Sequence, residues 1–126
     1  MKQKEIRTDK LGPVHGPYSQ GILYNNLIFT TQVGSTPEKD VISDSVYEQT
    51  IQIFKNAKIL LSEARSSLDK ILKITIYILD FADFDDMNKA YREIITFSPM
   101  PARATVAVKA MIPGVKVEME ITAYTE

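Results

Sequence analysis

Residues 98–121 read SPMPARATVAVKAMIPGVKVEMEI, and the fold turns on how this stretch is parsed. Pro99 and Pro101 fix their own φ and restrict the residues before them, so the approach is stiff. From Arg103 the chain alternates as a strand does. Arg103, Thr105 and Ala107 fall on one face; Ala104, Val106 and Val108 fall on the other. Ile112-Pro113-Gly114 interrupts the run. A second strand follows, with Val115, Val117, Met119 and Ile121 on an apolar face and Lys116, Glu118, Glu120 and Thr122 on a polar one. Pairing these strands as a hairpin, with Lys109 near Gly114, sets Thr105 across from Glu118. That register predicts Arg103, Thr105 and Glu118 on one sheet face, within about 7–8 Å along the diagonal. A guanidinium, a hydroxyl and a carboxylate so placed suit a small-molecule site. A partly exposed ion pair on an ordinary sheet satisfies the same pattern.

Immediately upstream, Phe84, Met87, Tyr91 and Ile94 recur at helical spacing. Asp83 is a candidate cap, and Asp85 and Asp86 suit the positive end of that helix, so the acidic cluster reads as helix-start chemistry rather than a metal site. Asn88 lies just off the apolar stripe, which by itself makes it a surface residue. Ile71 to Leu79 alternates, with Leu72, Ile74, Ile76 and Ile78 facing one way and Lys73, Thr75 and Tyr77 the other. Ser45-x-x-Glu48 is a capping box. The helix it opens carries Ile53, Phe54, Ala57, Leu60, Leu61 and Ala64 and stops near Arg65-Ser66, without a glycine.

Further back, Gly21 to Tyr24 and Leu27 to Val33 read as strands joined through Asn25-Asn26, since asparagine tolerates positive φ. Lys4 to Thr8 suits a short first strand. Asp9 to Gln20 is a loop broken by Gly12, Pro13, Gly16 and Pro17, and its His15 reads as a solvated side chain. The order is β-β-β-α-β-α-β-β, an α+β domain. Two helices cover one face of a six-stranded sheet, so the other face, with Thr75, Tyr77 and Thr105, meets solvent or, more favourably, another subunit.

The 126 residues make one domain, 1–126, with 44% hydrophobic and 25% charged side chains, enough for a real core. Fifteen basic and sixteen acidic residues give a net charge of −1, with no basic stripe for nucleic acid. Without cysteine there is no disulfide, thiolate zinc site or cysteine nucleophile, which fits a reducing cytoplasm. A single histidine leaves no His-based metal cluster. The start, MKQKEIRTDK, has no apolar core for a secretory signal, and no run reaches the ~18 apolar residues of a membrane span.

GPYSQG (16–21), the DFxxMNxAY run (83–91), PARATV (101–106) and VKVEMEITA (115–123) together resemble the RidA family, also called the YjgF family. The resemblance runs from about Thr8 to Tyr124 in the family order. It implies a chorismate-mutase-like fold, a homotrimer with sites at the subunit interfaces, and hydrolysis of reactive 2-imino or enamine acids such as 2-aminoacrylate and 2-iminobutyrate. The products are 2-keto acids and ammonia, with no cofactor or metal. The family arginine that holds the substrate carboxylate matches Arg103, and the acidic residue beside the attacking water matches Glu118. The turn tyrosine matches Tyr18 and the helix asparagine Asn88. Thr105 stands where cysteine or serine is frequent. Where members often read Ser-Gly-Gln, this chain has Thr30-Thr31-Gln32, so Thr31 replaces a glycine in the pocket region. Arg65 stands where many members carry glycine. A ligand-binding or regulatory trimer of the same family, with weak or no turnover, is the alternative; ribonuclease and chaperone activity follow further behind.

Overall fold

In the computed structural model, which describes residues 2–126, the apolar face of the last strand lies at the centre of the molecule. β6 (Val117–Tyr124) alternates buried Val117, Met119, Ile121 and Ala123 with more exposed Glu118, Glu120, Thr122 and Tyr124. It pairs antiparallel on one side with β3 (Leu27–Val33) and on the other with β4 (Ile71–Ile78). With β1 (Lys4–Ile6), β2 (Gly21–Tyr24) and β5 (Ala102–Ala107), the order across the six-stranded sheet is β1-β2-β3-β6-β4-β5. β5 runs parallel to β4 and the other pairs are antiparallel, so the sheet is mixed. α1 (Val46–Glu63) and α2 (Phe84–Ile94) complete the expected β-β-β-α-β-α-β-β order.

The expected β5–β6 hairpin does not form, because β4 lies between the two strands. Residues 108–116 instead cross the end of β4, where Val108 N–H donates to Ile78 O and Leu79 N–H donates to Lys116 O. The division follows apolar content. β6 buries every second residue and takes a central slot, whereas Ala-Arg-Ala-Thr-Val-Ala of β5 buries none fully and sits at the edge. A helix crossover through α2 then makes β4 and β5 parallel.

Three local readings also resolve. Ser45 Oγ accepts from Glu48 N–H at 3.1 Å, as a capping box requires. α1 ends at Glu63, and Arg65 takes φ 59°, the left-handed position usually given to glycine, while Ser66 N–H returns to Leu61 O at 2.8 Å. In β4 a bulge between Ile71 and Lys73 overturns part of the expected alternation: Ile71 is 4% exposed and Leu72 46%. The core lies between the helices and the face carrying Ile28, Ile74, Ile76, Ile78, Met119 and Ile121. On the face without helices, Tyr24, Leu27, Phe29 and Val106 remain exposed. Among the described residues no helix is long and apolar enough to cross a membrane.

Candidate functional site

The residues singled out in the sequence fall into two groups on opposite faces of the sheet. β5 aligns Arg103 with Ile74 and Thr105 with Ile76, and those isoleucines are buried under the helices. β6 aligns Glu118 with Tyr77 and Glu120 with Thr75, on the face without helices. The expectation that Arg103, Thr105 and Glu118 share a face, with Thr105 on the uncovered side, is therefore wrong. It rested on the hairpin, and inserting β4 changes which residues stand in line.

Arg103 belongs to the first group. α2 is opened by a 3-10 turn, Phe81–Asp83, capped by Asp80 accepting from Ala82 N–H at 2.9 Å. Asp83, the expected cap, makes no side-chain capping bond; Asp80 does that work a few residues earlier. Asp85 and Asp86 stand in the first turn. From this helix Phe84, Asn88 and Tyr91 all reach Arg103. Its Nη1 donates to Asn88 Oδ1 at 2.6 Å, and its guanidinium carbon lies 4.7 Å from the Tyr91 ring centre and 5.7 Å from that of Phe84. Tyr91 is held in turn by an edge-on contact with Phe54 at 5.6 Å. Burial raises the Tyr91 phenol pKa, while the Arg103 charge acts in the opposite sense. The guanidinium is half-buried and, among the described residues, has no carboxylate partner. Thr105, two residues along the same face, has a buried Oγ1 with no hydrogen-bond partner. Asn88 is thus half-buried and bonded, where helical spacing alone made it a surface residue.

The second group forms around Glu118. Tyr18, Thr31, Gln32, Val33, Ile112 and Glu118 bound a cavity of about 230 Å³. A neighbouring cavity of about 430 Å³ is bounded by Thr31, Tyr77, Glu118, Glu120 and residues of the 108–112 segment. Burial, and secondarily the charge of Glu120, raises the Glu118 pKa above the usual 4.5. The Tyr77 hydroxyl donates to Glu120 Oε1, which raises the phenol pKa and occupies Glu120. Among the described residues Glu118 makes no such bond and is the freer carboxylate. Tyr18 sits on a turn closed by its N–H to Gly16 O at 2.9 Å. A Cβ on Gly16 would lie 3.1 Å from the Tyr18 ring, so glycine lets the ring fold over. Gln20 pins the loop behind it, accepting from Thr8 N–H at 2.8 Å and donating to Thr8 O and Gly12 O. His15 is exposed and faces Asp40 at 3.1 Å, outside both groups.

A larger hollow, about 510 Å³ between β1 and the 8–14 loop, is lined by only Tyr18 of the candidate residues, so size does not locate the chemistry. Among the described residues no group of three or more His, Cys, Asp or Glu is placed to hold a metal ion. Sequence reasoning missed Phe84 and Tyr91 as partners of Arg103, taking them only as a buried stripe. It also missed Ile112 as a cavity wall. An arginine with no acidic neighbour in its strand was the available signal for the aromatic partners.

Among the described residues the Arg103 guanidinium has no carboxylate partner, which suits it to an anionic group, while Glu118 lies on the opposite sheet face beside cavities of its own. The chain belongs to the RidA (YjgF-type) family, whose model, described as Endoribonuclease L-PSP, matches residues 9–125. It is 40% identical over 122 residues to a RutC family protein of Aquifex aeolicus, covering 95% of this chain and 98% of that one. It is 37% identical over 125 residues to Reactive Intermediate Deaminase A, chloroplastic, of Arabidopsis thaliana, covering 98% of this chain and 66% of that protein. The crystal structure of E. coli TdcF with bound serine superposes with TM-score 0.88 at 29% identity, covering 98% of this chain and 99% of that one. The family thus includes a reactive intermediate deaminase, and the two helices on a six-stranded mixed sheet are its fold.

Proposed function

We propose that this protein hydrolyses 2-imino and enamine acids, including 2-aminoacrylate and 2-iminobutyrate, to 2-keto acids and ammonia. The observation that carries the reading is Arg103: a half-buried guanidinium oriented by Asn88 and two aromatic rings, with no acidic partner among the described residues. Such a group suits a substrate carboxylate, which it binds through two parallel hydrogen bonds. The Arabidopsis relative's name and the serine bound to TdcF, an amino acid with the same carboxylate and a nitrogen at the next carbon, support the same class of ligand.

The chemistry asks little more of the protein. The imine carbon is already electrophilic. Water adds to it as Glu118 accepts one of the water's protons, and that proton passes to the nitrogen to give a carbinolamine. Its hydroxyl proton then moves to the nitrogen as the carbon–nitrogen bond breaks, so ammonia leaves and the carbonyl of the keto acid forms. Arg103 and Glu118 of one chain lie on opposite sheet faces, so a complete site joins Arg103 of one subunit to Glu118 of a neighbour. A homotrimer meets that requirement and covers Tyr24, Leu27, Phe29 and Val106.

The test is a coupled assay. An amino-acid oxidase makes the imine in place, semicarbazide traps what survives, and the protein lowers the trapped signal. Ligand binding without any loss of trapped imine replaces the enzyme with a sensor of keto or amino acids. A ribonuclease reading draws no support from the site, since the chain's single histidine is exposed and lies outside both groups.

A further inference from the structure

The two cavities beside Glu118 share three lining residues, Thr31, Glu118 and Ile112. Thr31 and Glu118 stand on strands locked to one another, with Thr31 aligned to Glu120 and Val33 to Glu118. Ile112 comes from elsewhere, the segment joining β5 to β6, and is 70% exposed. Its backbone is nonetheless fixed. Val115 N–H closes a turn onto Ile112 O at 2.9 Å, and Gly114 takes φ 86° within it. Beneath the turn, fully buried Gln49 donates to Ser43 O at 2.8 Å and to Gly114 O at 2.9 Å, and accepts from Lys116 N–H at 2.9 Å. A wholly buried amide whose polar atoms are all engaged holds a loop in one position. A branched side chain on so fixed a turn is a wall.

We propose that Ile112 determines which substrate side chains this enzyme accepts, by dividing the space around Glu118 into two compartments. The larger compartment is apolar on the side formed by Val108, Ala110, Met111 and Ile112, and no cation lines it. It suits an uncharged aliphatic side chain, and Ile112 sets how long that chain can be. The inference rests on the deaminase reading above and names the specificity of that site.

The measurement is kcat/KM for the imines of alanine, 2-aminobutyrate and leucine, in wild type, Ile112→Ala and Ile112→Phe. Ile112→Ala raises the leucine-to-alanine ratio roughly ten-fold, the discrimination a methylene or so supplies in an apolar pocket. Ile112→Phe lowers it. Loss of folded protein scales all substrates alike and leaves the ratio untouched. Ratios unchanged in both variants overturn the proposal while leaving the deaminase reading standing. If wild type hydrolyses no imine, the deaminase reading fails. Affinities for pyruvate, 2-oxobutyrate and 4-methyl-2-oxopentanoate then decide the role of Ile112, which requires the same shift in ranking.

Discussion

Arg103 and Glu118 are placed by different physics. Arg103 comes from an edge strand that buries no residue fully, and its position is imposed from outside by α2 through Asn88, Tyr91 and Phe84. Glu118 comes from the central strand, held on both sides by ladders to β3 and β4, and the loops around it supply walls rather than support. A weak strand therefore carries the residue that the proposed mechanism needs aimed, and side chains provide the aim. A strong strand carries the residue that must stay accessible, and its neighbours shape the space. Edge position also leaves one side of β5 without a strand partner in this chain.

The largest expected effect is at the aimed residue. Arg103→Ala removes a charge-assisted pair in a sheltered site, which costs on the order of 2–5 kcal/mol of transition-state stabilisation. That is roughly thirty-fold to a few thousand-fold in kcat/KM. Arg103→Lys keeps the charge but loses the planar fork and its stacking on Tyr91, so it recovers only part of the loss. Steady-state kinetics with 2-iminobutyrate check this, alongside light scattering for assembly. Wild-type rates in Arg103→Ala, or dissociation of the assembly, remove Arg103 as the clamp.

The same contrast explains what was legible in the sequence. Strand and helix order, the Ser45 cap and the apolar stripe of α2 are local signals, and they appear in the structure as read. Pairing is not local. Adjacent strands 102–107 and 117–124 suggest a hairpin, yet the more apolar β4 and β6 associate directly and leave β5 at the edge. With that one substitution of partner, Arg103 and Thr105 moved to the helix side. Leu72 gave a smaller miss of the same kind, since a single bulge reverses the residues before it. Tyr18, Thr31 and Glu118 do gather around one cavity, and Asn88 does meet Arg103, but for Tyr18, Thr31 and Asn88 the resemblance, not periodicity, was the pointer.

The next effect tests whether the two regions act together. Glu118→Gln keeps shape but cannot take the water's proton, and lowers kcat about a hundred-fold while keto-acid binding remains. Mixed with Arg103→Ala chains and refolded together, it regains activity if each site draws on two subunits. In random closed trimers about a quarter of sites then hold both native groups. No recovery in the mixture places both groups in one chain or removes one of them from the reaction.

A smaller effect reads Glu118 by its charge. Burial first, and Glu120 second, raise its pKa. A base works ionised, so kcat/KM falls as pH drops through that raised value. Glu120→Gln removes the negative neighbour, favours the ionised form of Glu118, and moves the acid limb to lower pH. The shift is the lesser part of the perturbation, because burial remains. A limb that stays in place assigns it to another group.

The smallest effect concerns Thr31, which lines both cavities and stands opposite Glu120 in the β3–β6 ladder. Thr31→Gly removes the whole hydroxyethyl side chain from the same space that Ile112 divides, so it raises activity toward larger imino acids relative to small ones by a few-fold. Glycine also weakens a strand interior by about 0.5–1 kcal/mol, which a thermal melt records separately from the substrate ranking. Since Thr31 and Ile112 bound the same cavities, the double variant Thr31→Gly/Ile112→Ala departs from the product of the single changes in ranking. Independent effects would mean that the substrate side chain touches only one of these walls. An unchanged ranking in Thr31→Gly would mean that β3 supplies only the floor of the cavity, and that the loop alone sets its size.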